Sequence, residues 1–489
     1  MGSVEIREKP HRYEEIAYFI DGLLESGLLR PGMRAPSLRS IARQNRASLS
    51  TVIQAYRLLE DRGILEARPK SGFYVTAHSK ISLETPAPTA PSGKANPVAQ
   101  GSSILRVIEE AINPSLLPLG CAIPDASLLA AGRLDRLLAR TARVKGNKYN
   151  NYTSPCGDED LRSEICRRAM RWGQVLSPEM VAITCGCTEA ISLALKATTR
   201  PGDTVVIESP TYFGLLSILQ AHGLHALELP TDANDGIDVQ SLDKALKTEA
   251  VGACLFSSSF NNPLGSKMPN EKKKEIIALL TRHNVPLIED DIYGDIYFGK
   301  ERPLPFIALA PDADILYCSS FSKTLAPGYR VGWLVTKQRM QDVLEAKLAQ
   351  TLCGPPLLQK ALADFLSSGG YDKHLRRMRR IFSENIDRMT RAIDQHFPQD
   401  TRITRPTGGF VLWLELPSGF DGHRMFDLAV QNGIGIVPGE AFTAGEQYRN
   451  CIRLSCGSLW DDRIEKGVQT LGRLASELLS ECRDVTNTQ

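Results

Sequence analysis

Short β-rich runs alternate with helical segments from about residue 104 onwards, and each run is followed at once by polar or reactive side chains. The runs that read as strands are Val181–Thr184, Thr204–Ile207, Ala253–Phe256, Val285–Ile288 and Ile315–Tyr317. This alternation predicts a parallel α/β sheet. Ligands of such sheets bind beyond the carboxyl ends of the strands. We therefore expect the residues that follow these runs to share one site.

The five strand ends carry different chemical groups. A glycine-led helix start follows the first run and is suited to a phosphate, because helix N-termini present free N–H groups. The second run leads to an aromatic ring, the third to an amide, the fourth to a carboxylate and a phenol, and the fifth to hydroxyls, a lysine and an arginine. In order along the chain these residues are Gly186, Cys187 and Thr188, then Tyr212, Asn262, Asp290, Tyr293, Ser320, Ser322, Lys323 and Arg330.

One cofactor, pyridoxal phosphate, needs all of these groups. Its aldehyde forms a Schiff base with a lysine. Its pyridine nitrogen stays protonated beside a buried carboxylate, and its phosphate takes N–H groups, hydroxyls and a guanidinium. Any single motif of this kind is more often an ordinary loop than a site. Five of them at successive strand ends predict a pyridoxal-phosphate site.

The same residues carry a resemblance to the fold-type I aminotransferases over about residues 104–470. The resemblance implies that Lys323 is the Schiff-base lysine and Asp290 the partner of the pyridine nitrogen. It implies that Asn262 and Tyr293 donate to the 3-hydroxyl and that Tyr212 stacks on the ring. The phosphate-binding positions would be Cys187, Thr188, Ser320, Ser322 and Arg330.

Three further positions match this family. Tyr152 matches a tyrosine that reaches the phosphate of the neighbouring subunit, although in this chain it could be a core residue. Arg453, in Cys-Ile-Arg-Leu-Ser, matches the arginine that binds the substrate α-carboxylate, and a surface salt bridge is the alternative. Gly120 falls where the backbone approaches the substrate.

A basic segment precedes this region. Residues 30–70 hold nine Lys and Arg residues against three acidic ones, a net +6, whereas the whole chain carries only +2. Apolar spacing predicts three helices, and Ser37 is a candidate cap for the second and Ser48 or Ser50 for the third. Two β-rich runs then flank Arg-Pro-Lys-Ser-Gly, which is hairpin chemistry. This order predicts a winged helix-turn-helix, whose third helix enters the major groove of DNA.

The basic segment resembles the DNA-binding domain of the GntR superfamily, through Pro-Ser-x-Arg, Thr-Val-x-x-Ala-Tyr and Ser-Gly-Phe-Tyr-Val in that order. The resemblance implies DNA contacts from Arg39, Ser50, Thr51, Ser71 and Gly72. Leu49 and Ile53 depart from the family pattern, so which bases are read stays open. A winged helix used only for protein contacts is the alternative.

The organisation of the chain follows from these segments. We predict a DNA-binding domain over 1–78, a proline-rich linker over 79–103 that tethers rather than packs, an aminotransferase-like domain over 104–478 and a polar tail over 479–489. The eleven cysteines are scattered, without zinc-ligand spacing, so we expect reduced thiols and no metal site. No stretch has the length and apolarity of a membrane span, and the N-terminus lacks a signal-peptide pattern, so we expect a cytoplasmic protein.

The predicted fold is therefore multidomain: a small α/β winged helix-turn-helix, then an α/β fold-type I aminotransferase domain with a mostly parallel sheet and a smaller α+β part. This combination resembles the MocR subfamily of GntR-type transcription regulators. The resemblance implies a homodimer that binds a double-stranded DNA operator and senses pyridoxal phosphate or an amino compound that forms an aldimine with it. The alternative is an active aminotransferase with an accessory DNA-binding domain.

Overall fold

The structure, a computed structural model, describes residues 12–25, 28–30, 32–61, 64–68, 71–75, 83–89, 91, 93–98, 103–144 and 149–486. These residues form two compact units. One unit contains the described residues up to 75, and the other contains those from 83 onwards.

The first unit is a three-helix module with a two-stranded wing. Its elements are α1 Arg12–Glu25, α2 Leu38–Gln44, α3 Leu49–Asp61, β1 Leu65–Arg68 and β2 Gly72–Val75. Ser37 caps α2, because its side chain accepts a hydrogen bond from Ser40 N. Ser48 caps α3 in the same way through Thr51 N at 3.1 Å. The predicted winged helix-turn-helix is confirmed.

Apolar burial holds this module together. The predicted stripe of α3 is fully buried, and it packs against α1 and the two strands. Burial of a large apolar side chain stabilises a fold by roughly 1.5–3 kcal/mol. The stripe consists of Val52, Ala55, Tyr56 and Leu59.

The second unit contains the remaining elements. In chain order they are β3 Asn96–Pro97, α4 Ser103–Ile112, β4 Leu117–Pro118, α5 Ala131–Val144, α6 Glu159–Ala169, β5 Val181–Thr184, α7 Gly186–Thr198, β6 Thr204–Ser209, α8 Phe213–Ala221, β7 His225–Asp232, β8 Gly236–Ile237, α9 Val239–Thr248, β9 Val251–Phe256, α10 Asn270–His283, β10 Leu287–Asp290, α11 Phe306–Leu309, β11 Ile315–Ser320, β12 Gly332–Val335, α12 Met340–Gln350, α13 Pro356–Ser367, α14 Gly370–His396, β13 Arg402–Ile403, β14 Val411–Glu415, α15 Gly422–Gln431, β15 Ile434–Gly435, β16 Val437–Pro438, β17 Cys451–Ser455 and α16 Asp462–Thr486.

The main sheet has the strand order β3-β7-β6-β9-β10-β11-β12-β5, and β8 pairs with β7 off this path. Strands β7, β6, β9, β10 and β11 run parallel. Strand β12 is antiparallel to both of its neighbours, so the sheet is mixed. All five predicted strands are present. Strands β7 and β12 were not predicted, and β12 separates β5 from the parallel block.

A four-stranded sheet, β13-β14-β17-β16, forms the centre of the smaller part of this unit. It packs against α14, α15 and α16 through a large apolar cluster. Strands β14 and β17 pair antiparallel and place Trp413 opposite Arg453. The predicted α+β part is thus present, and it brings Arg453 close to the main sheet.

The proline-rich segment does not only tether. Residues 83–89 and 93–98, here called the docked segment, pack against the rest of the second unit. Leu83 packs against the apolar cluster of the smaller part, and Val98 is buried in the apolar cluster that contains residues of α7 and α8. Strand β3 pairs with β7 at the edge of the main sheet. The prediction that this segment tethers rather than packs is therefore wrong for these residues, because its few apolar side chains find buried positions.

The C-terminal boundary also differs from the prediction. Helix α16 continues to Thr486, beyond the predicted start of a polar tail at 479. Leu478 and Leu479 are both buried in the apolar cluster. The apolar face of the helix therefore extends to the residues where the tail was predicted to begin. In the part of the chain that the structure describes, no helix combines the length and apolarity that crossing a bilayer requires.

Candidate functional site

A cavity of about 230 Å³ lies at the carboxyl ends of the parallel strands, between the main sheet and the smaller part of the second unit. It gathers most of the predicted cofactor and substrate residues, although they come from elements far apart in the sequence. The predicted residues that line it are Gly120, Cys187, Thr188, Tyr212, Asn262, Asp290, Tyr293, Ser322, Lys323, Arg330 and Arg453.

Lys323 follows strand β11 and reaches across the cavity. Its Nζ donates a hydrogen bond of 2.6 Å to the carbonyl oxygen of Ala122. Burial lowers the pKa of Lys323 to about 8, because a desolvated ammonium is unfavourable. A lysine with this pKa is neutral in an appreciable fraction of molecules near neutral pH, as a nucleophilic amine must be.

Asp290 ends strand β10 on the floor of the cavity. Its Oδ1 accepts hydrogen bonds from Ile292 N at 3.1 Å and from the Cys187 thiol at 3.5 Å. Burial raises the pKa of Asp290 to about 6. A buried carboxylate of this kind gains most from a cation beside it, and a protonated pyridine nitrogen supplies one.

The start of helix α7 forms one end of the cavity. Gly186 has φ +81°, and a Cβ there would lie 2.5 Å from Arg330 Nη2, so only glycine fits. Arg330 Nη2 also donates to the carbonyl oxygen of Cys185 at 3.2 Å. Thr188, in the first turn of α7, and Ser322 also line the cavity. Backbone N–H groups, two hydroxyls and a guanidinium are thus available to a phosphate in this cavity.

Two of the predicted phosphate residues differ from the expectation in detail. The Cys187 thiol is directed to Asp290 rather than to the helix start, so the residue has only its backbone N–H for a phosphate. Ser320 does not line the cavity; its Oγ accepts a hydrogen bond from Ser322 N at 3.2 Å. Ser320 therefore positions the loop that carries Ser322 and Lys323.

The cavity lining near Asp290 includes Asn262, Tyr293 and Tyr212. The Asn262 Oδ1 atom is buried and has no hydrogen-bond partner. Tyr293 is buried, and its ring packs edge-on against Phe410 at 5.5 Å. Burial raises the pKa of Tyr293, so the phenol stays protonated and able to donate. Tyr212 presents a partly exposed ring to the cavity.

Arg453 is a buried guanidinium, which excludes the surface salt bridge considered from the sequence. Its Nη2 donates to the carbonyl oxygen of Gly120, and its plane lies over the ring of Phe442 at 5.6 Å. The Nε and Nη1 atoms have no hydrogen-bond partner. Because a buried unpaired N–H is costly, these two donors indicate a ligand with acceptor oxygens, such as a carboxylate.

Tyr152 lies outside this cavity. It is 86% exposed, so the alternative of a core residue is excluded. Its predicted contact with a neighbouring subunit stays a prediction.

Sequence reasoning missed part of the lining. Ser257 directly follows strand β9, so the search beyond strand ends could have found it. Its N–H donates to the Glu208 carboxyl at 2.7 Å, and burial raises the pKa of Glu208 to about 8. One face of helix α4 also lines the cavity, and the spacing of its residues was the available signal. These residues are Ile108, Ala111 and Ile112.

The first unit presents its predicted DNA contacts on the surface. Arg39 is exposed on α2, and Ser50 and Thr51 lie in the first turn of α3. The hydroxyls of Ser50 and Thr51 both hydrogen-bond Ser48 Oγ, at 2.8 and 2.7 Å. This cluster of short polar side chains at the start of the recognition helix leaves room for the backbone of a duplex to approach.

The wing places the other two predicted contacts. Ser71 Oγ hydrogen-bonds Tyr74 OH at 2.7 Å. Gly72 has φ +104°, and a Cβ there would lie 3.3 Å from Arg34 Nη2, so the turn requires glycine. The guanidinium of Arg68 stacks 4.4 Å from the ring of Tyr74. The tip residues 69 and 70 lie outside the described residues.

The geometry fits pyridoxal phosphate. The buried carboxylate of Asp290 and the lysine with a lowered pKa each match a separate group of the cofactor, and the Asn262 amide lines the same cavity. The helix start with Arg330 matches the phosphate.

Comparisons with known proteins agree with both units. Residues 126–471 match the aminotransferase class I and II family, and residues 12–75 match the gntR family of bacterial regulatory proteins. The HTH-type transcriptional regulator YdcR of Escherichia coli, itself described as uncharacterized, is 37% identical over 96% of this chain and 100% of its own. The 2-aminoadipate transaminase of Thermus thermophilus is 31% identical over 79% of this chain and 97% of its own.

The solved structure of LysN, an α-aminoadipate aminotransferase from Thermus thermophilus, superposes on this chain with a TM-score of 0.72 and 30% identity. The match covers 78% of this chain and 96% of LysN, and that structure contains N-(5'-phosphopyridoxyl)-L-leucine. The cofactor of the second unit is therefore pyridoxal phosphate. The chain belongs to the MocR-like HTH-type transcriptional regulators, in which a GntR winged helix is joined to an aminotransferase class I and II domain.

Proposed function

We propose that this regulator changes its affinity for a DNA operator when an amino compound occupies the cavity beside pyridoxal phosphate. One observation carries the proposal: the buried Arg453 keeps two unpaired donors in the same cavity as the Lys323 amine. A regulator that responded to the cofactor alone would have no use for a second buried cation. A regulator that binds genomic DNA acts in the cytoplasm.

Each cavity residue has a stated task in this proposal. Pyridoxal phosphate, when bound, supplies an aldehyde carbon with which amines condense and a ring that withdraws electrons. Lys323 would supply the amine that binds that carbon in the absence of an amino compound. Arg453 would bind and orient the carboxylate of the compound, because its guanidinium keeps N–H donors without a partner. Asp290 would pair with the protonated ring nitrogen, and Tyr293 would donate a hydrogen bond to the ring oxygen.

A contiguous set of contacts joins this cavity to the docked segment. Thr89 hydrogen-bonds the hydroxyl of Tyr448, and that hydroxyl lies 3.1 Å from Ser209 Oγ. Ser209 is three residues before Tyr212, whose ring lines the cavity. A shift of the Tyr212 loop on ligand binding would therefore change the support of the docked segment.

A second route leads to the same place. Phe442 lies under the guanidinium of Arg453, and its carbonyl oxygen accepts a hydrogen bond of 2.8 Å from Thr211 N. The chain from Phe442 to Tyr448 thus touches both the carboxylate-binding arginine and the docked segment. Coupling requires two arrangements that bind the ligand differently, and this packed chain is the element that we propose has two arrangements.

We also propose a homodimer in which Tyr152 of each subunit reaches the phosphate site of the other. The support is the position of Tyr152, a large side chain that is 86% exposed although its family match contacts a phosphate. Sedimentation of the cofactor-loaded protein tests this. We expect the wild-type protein to sediment as a dimer, and a monomer would contradict the proposal. We expect the Tyr152→Phe variant to remain a dimer of the same stability but to bind the cofactor more weakly.

DNA affinity measured under three conditions tests the regulator. A duplex is first selected from a randomised pool by the cofactor-loaded full chain. Its affinity is then measured by fluorescence anisotropy for the cofactor-free protein, the loaded protein, and the loaded protein with each common amino acid. We expect at least one amino acid to change the dissociation constant about fivefold or more, within the usual range of allosteric coupling. Equal affinities in all conditions would contradict the proposal.

An aminotransferase activity is the second candidate. The observation that favours it is that the lysine, the carboxylate, the phenol and the carboxylate-binding arginine are all present in one cavity. Absorbance spectra of the loaded protein during amino acid addition distinguish the two functions. Conversion of the cofactor to its amine form with release of a keto acid establishes turnover, whereas a spectral change without keto acid indicates a sensor.

A further inference from the structure

The Lys323 amine and the Arg453 guanidinium, which would bind an amino acid, both donate hydrogen bonds to one short stretch of backbone. Lys323 Nζ donates to the Ala122 carbonyl at 2.6 Å, and Arg453 Nη2 donates to the Gly120 carbonyl. An amino acid with its nitrogen near Lys323 and its carboxylate on Arg453 therefore lies along residues 120–123. Its side chain faces whatever surrounds this stretch.

The charged residues in the described lining already have tasks. In the proposed function Asp290 would face the ring nitrogen, Lys323 the aldehyde, Arg330 the phosphate and Arg453 the carboxylate; all four line the cavity. Cys121 is next to both cations, yet burial raises the pKa of its thiol, so it stays neutral. Within the described lining no charged group is left over for the side chain of the ligand.

Apolar side chains surround the remaining space. Helix α4 presents Ile108, Ala111 and Ile112 to the cavity, at the spacing of one helix face, and Ile123 also lines it. Helix α8 adds further apolar residues to the lining. These are Phe213, Leu215 and Ile218.

We infer that the cavity takes α-amino acids with uncharged apolar side chains, and that Ile108, Ile112 and Ile123 determine this specificity. The inference rests on the proposed function, since it names the ligand of the same site. A carboxylate or ammonium at the end of the ligand side chain would meet these apolar groups without gaining a charged partner among the described lining residues. An apolar side chain gains contacts with the same groups, so we expect it to bind more tightly than a charged one.

Spectral titration of the cofactor-loaded full chain tests the inference with amino acids of matched length. Norleucine, lysine and glutamate are added separately, and the dissociation constant is read from the change in the cofactor band. We expect norleucine to bind at least about tenfold more tightly than lysine or glutamate.

A charge placed on the α4 side chains that line the cavity should shift this preference. Ile112 is 60% exposed, so Ile112→Arg leaves the fold intact while adding a cation to the lining. We expect glutamate to gain about tenfold in affinity relative to norleucine. Leu105→Arg is the matched control, because Leu105 is 63% exposed on the same helix and does not line the cavity.

The outcomes separate this inference from the proposed function. Lysine or glutamate binding as tightly as norleucine would overturn the inference, and so would a spectrum that no amino acid changes. An identical change of the glutamate preference in Ile112→Arg and Leu105→Arg would show that the lining residues of α4 do not determine specificity. A clear preference for norleucine without any change in DNA affinity would instead contradict the regulatory proposal and leave the inference standing.

Discussion

The Cys187 thiol lies 3.5 Å from Asp290 Oδ1, so a residue of the proposed phosphate-binding turn contacts the carboxylate that we propose pairs with the ring nitrogen. Burial raises the pKa of Cys187 far above that of an ordinary thiol, which keeps its proton available to the carboxylate. The pair joins the start of helix α7 to the end of strand β10. Cys187 is thus a positioning residue for Asp290.

Replacing Cys187 should weaken cofactor binding, although we expect its side chain to make no direct contact with the cofactor. In Cys187→Ala the Asp290 carboxylate loses one donor, so the pKa of Asp290 rises further and its pairing with the ring nitrogen weakens. We expect about a fivefold loss of cofactor affinity, the effect of one modest hydrogen bond. Cofactor titration measures it, and Cys187→Ser, which keeps a donor, should retain most of the affinity. Equal losses in both variants would contradict the assignment.

Lys323→Ala should abolish the absorbance band of the lysine-linked cofactor and leave only weakly held cofactor. The reason is that no other described lining residue offers an amine. Absorbance after gel filtration is the measurement. Lys337→Ala is the control, because Lys337 is a surface lysine paired with Asp312. Persistence of the band in Lys323→Ala would refute the assignment of this lysine.

Asp290 should make the stability of the cofactor-free protein depend on pH. Its pKa rises from 3.8 to about 6 on folding, so the folded state binds more protons and loses stability as pH rises from about 4 to about 6. Two pKa units correspond to about 3 kcal/mol. In Asp290→Asn this part of the decline should disappear, as measured by urea unfolding at both pH values, while cofactor affinity falls. An unchanged pH profile would show that the carboxyl is not desolvated.

Tyr448→Phe should uncouple the cavity from the docked segment. The variant loses the hydrogen bonds to Thr89 and Ser209 but changes no residue of the cavity. We expect a normal cofactor spectrum and a reduced effect of amino acids on DNA affinity. Tyr329→Phe is the matched control, because the Tyr329 hydroxyl has no partner among the described residues. A full amino acid effect in Tyr448→Phe would exclude this route.

Arg39→Ala should weaken DNA binding and leave the cofactor spectrum intact. Removing one phosphate contact lowers the slope of log affinity against log salt by about 1. Anisotropy titrations over a range of salt concentrations measure this. Arg463→Ala removes the same charge from an exposed position of the other unit and should leave the slope unchanged. A normal slope in Arg39→Ala would argue against its contact with the duplex.

The sequence predicts the chemistry of the cavity well because that chemistry is encoded locally. Asp290, Asn262 and Lys323 each lie at or within a few residues of a strand end, and the parallel topology then brings them together. The winged helix is predictable for a similar reason, since its caps and its apolar stripe are short-range signals.

The remaining lining was not predictable because it depends on contacts between distant residues. Ala122 meets Lys323 across 201 positions of the sequence. Gly120 and Arg453, which are 333 positions apart, were expected in the site only through the family resemblance. The docked segment was misjudged from its composition: proline and small residues are typical of a tether, yet Leu83 and Val98 find apolar positions on the folded surface. The composition of a segment indicates how much apolar surface it can bury by itself. It does not indicate which apolar positions a neighbouring folded surface provides.

The central claim is that the cavity and the DNA-binding unit are thermodynamically coupled. Coupling between two binding equilibria is reciprocal, so the operator must change the affinity for the amino acid by the factor with which the amino acid changes the affinity for the operator. The decisive measurement is the spectral titration of the loaded protein with norleucine, with and without saturating selected duplex. We predict two dissociation constants that differ by that same factor. Identical constants, in a protein that binds both ligands, would contradict the account.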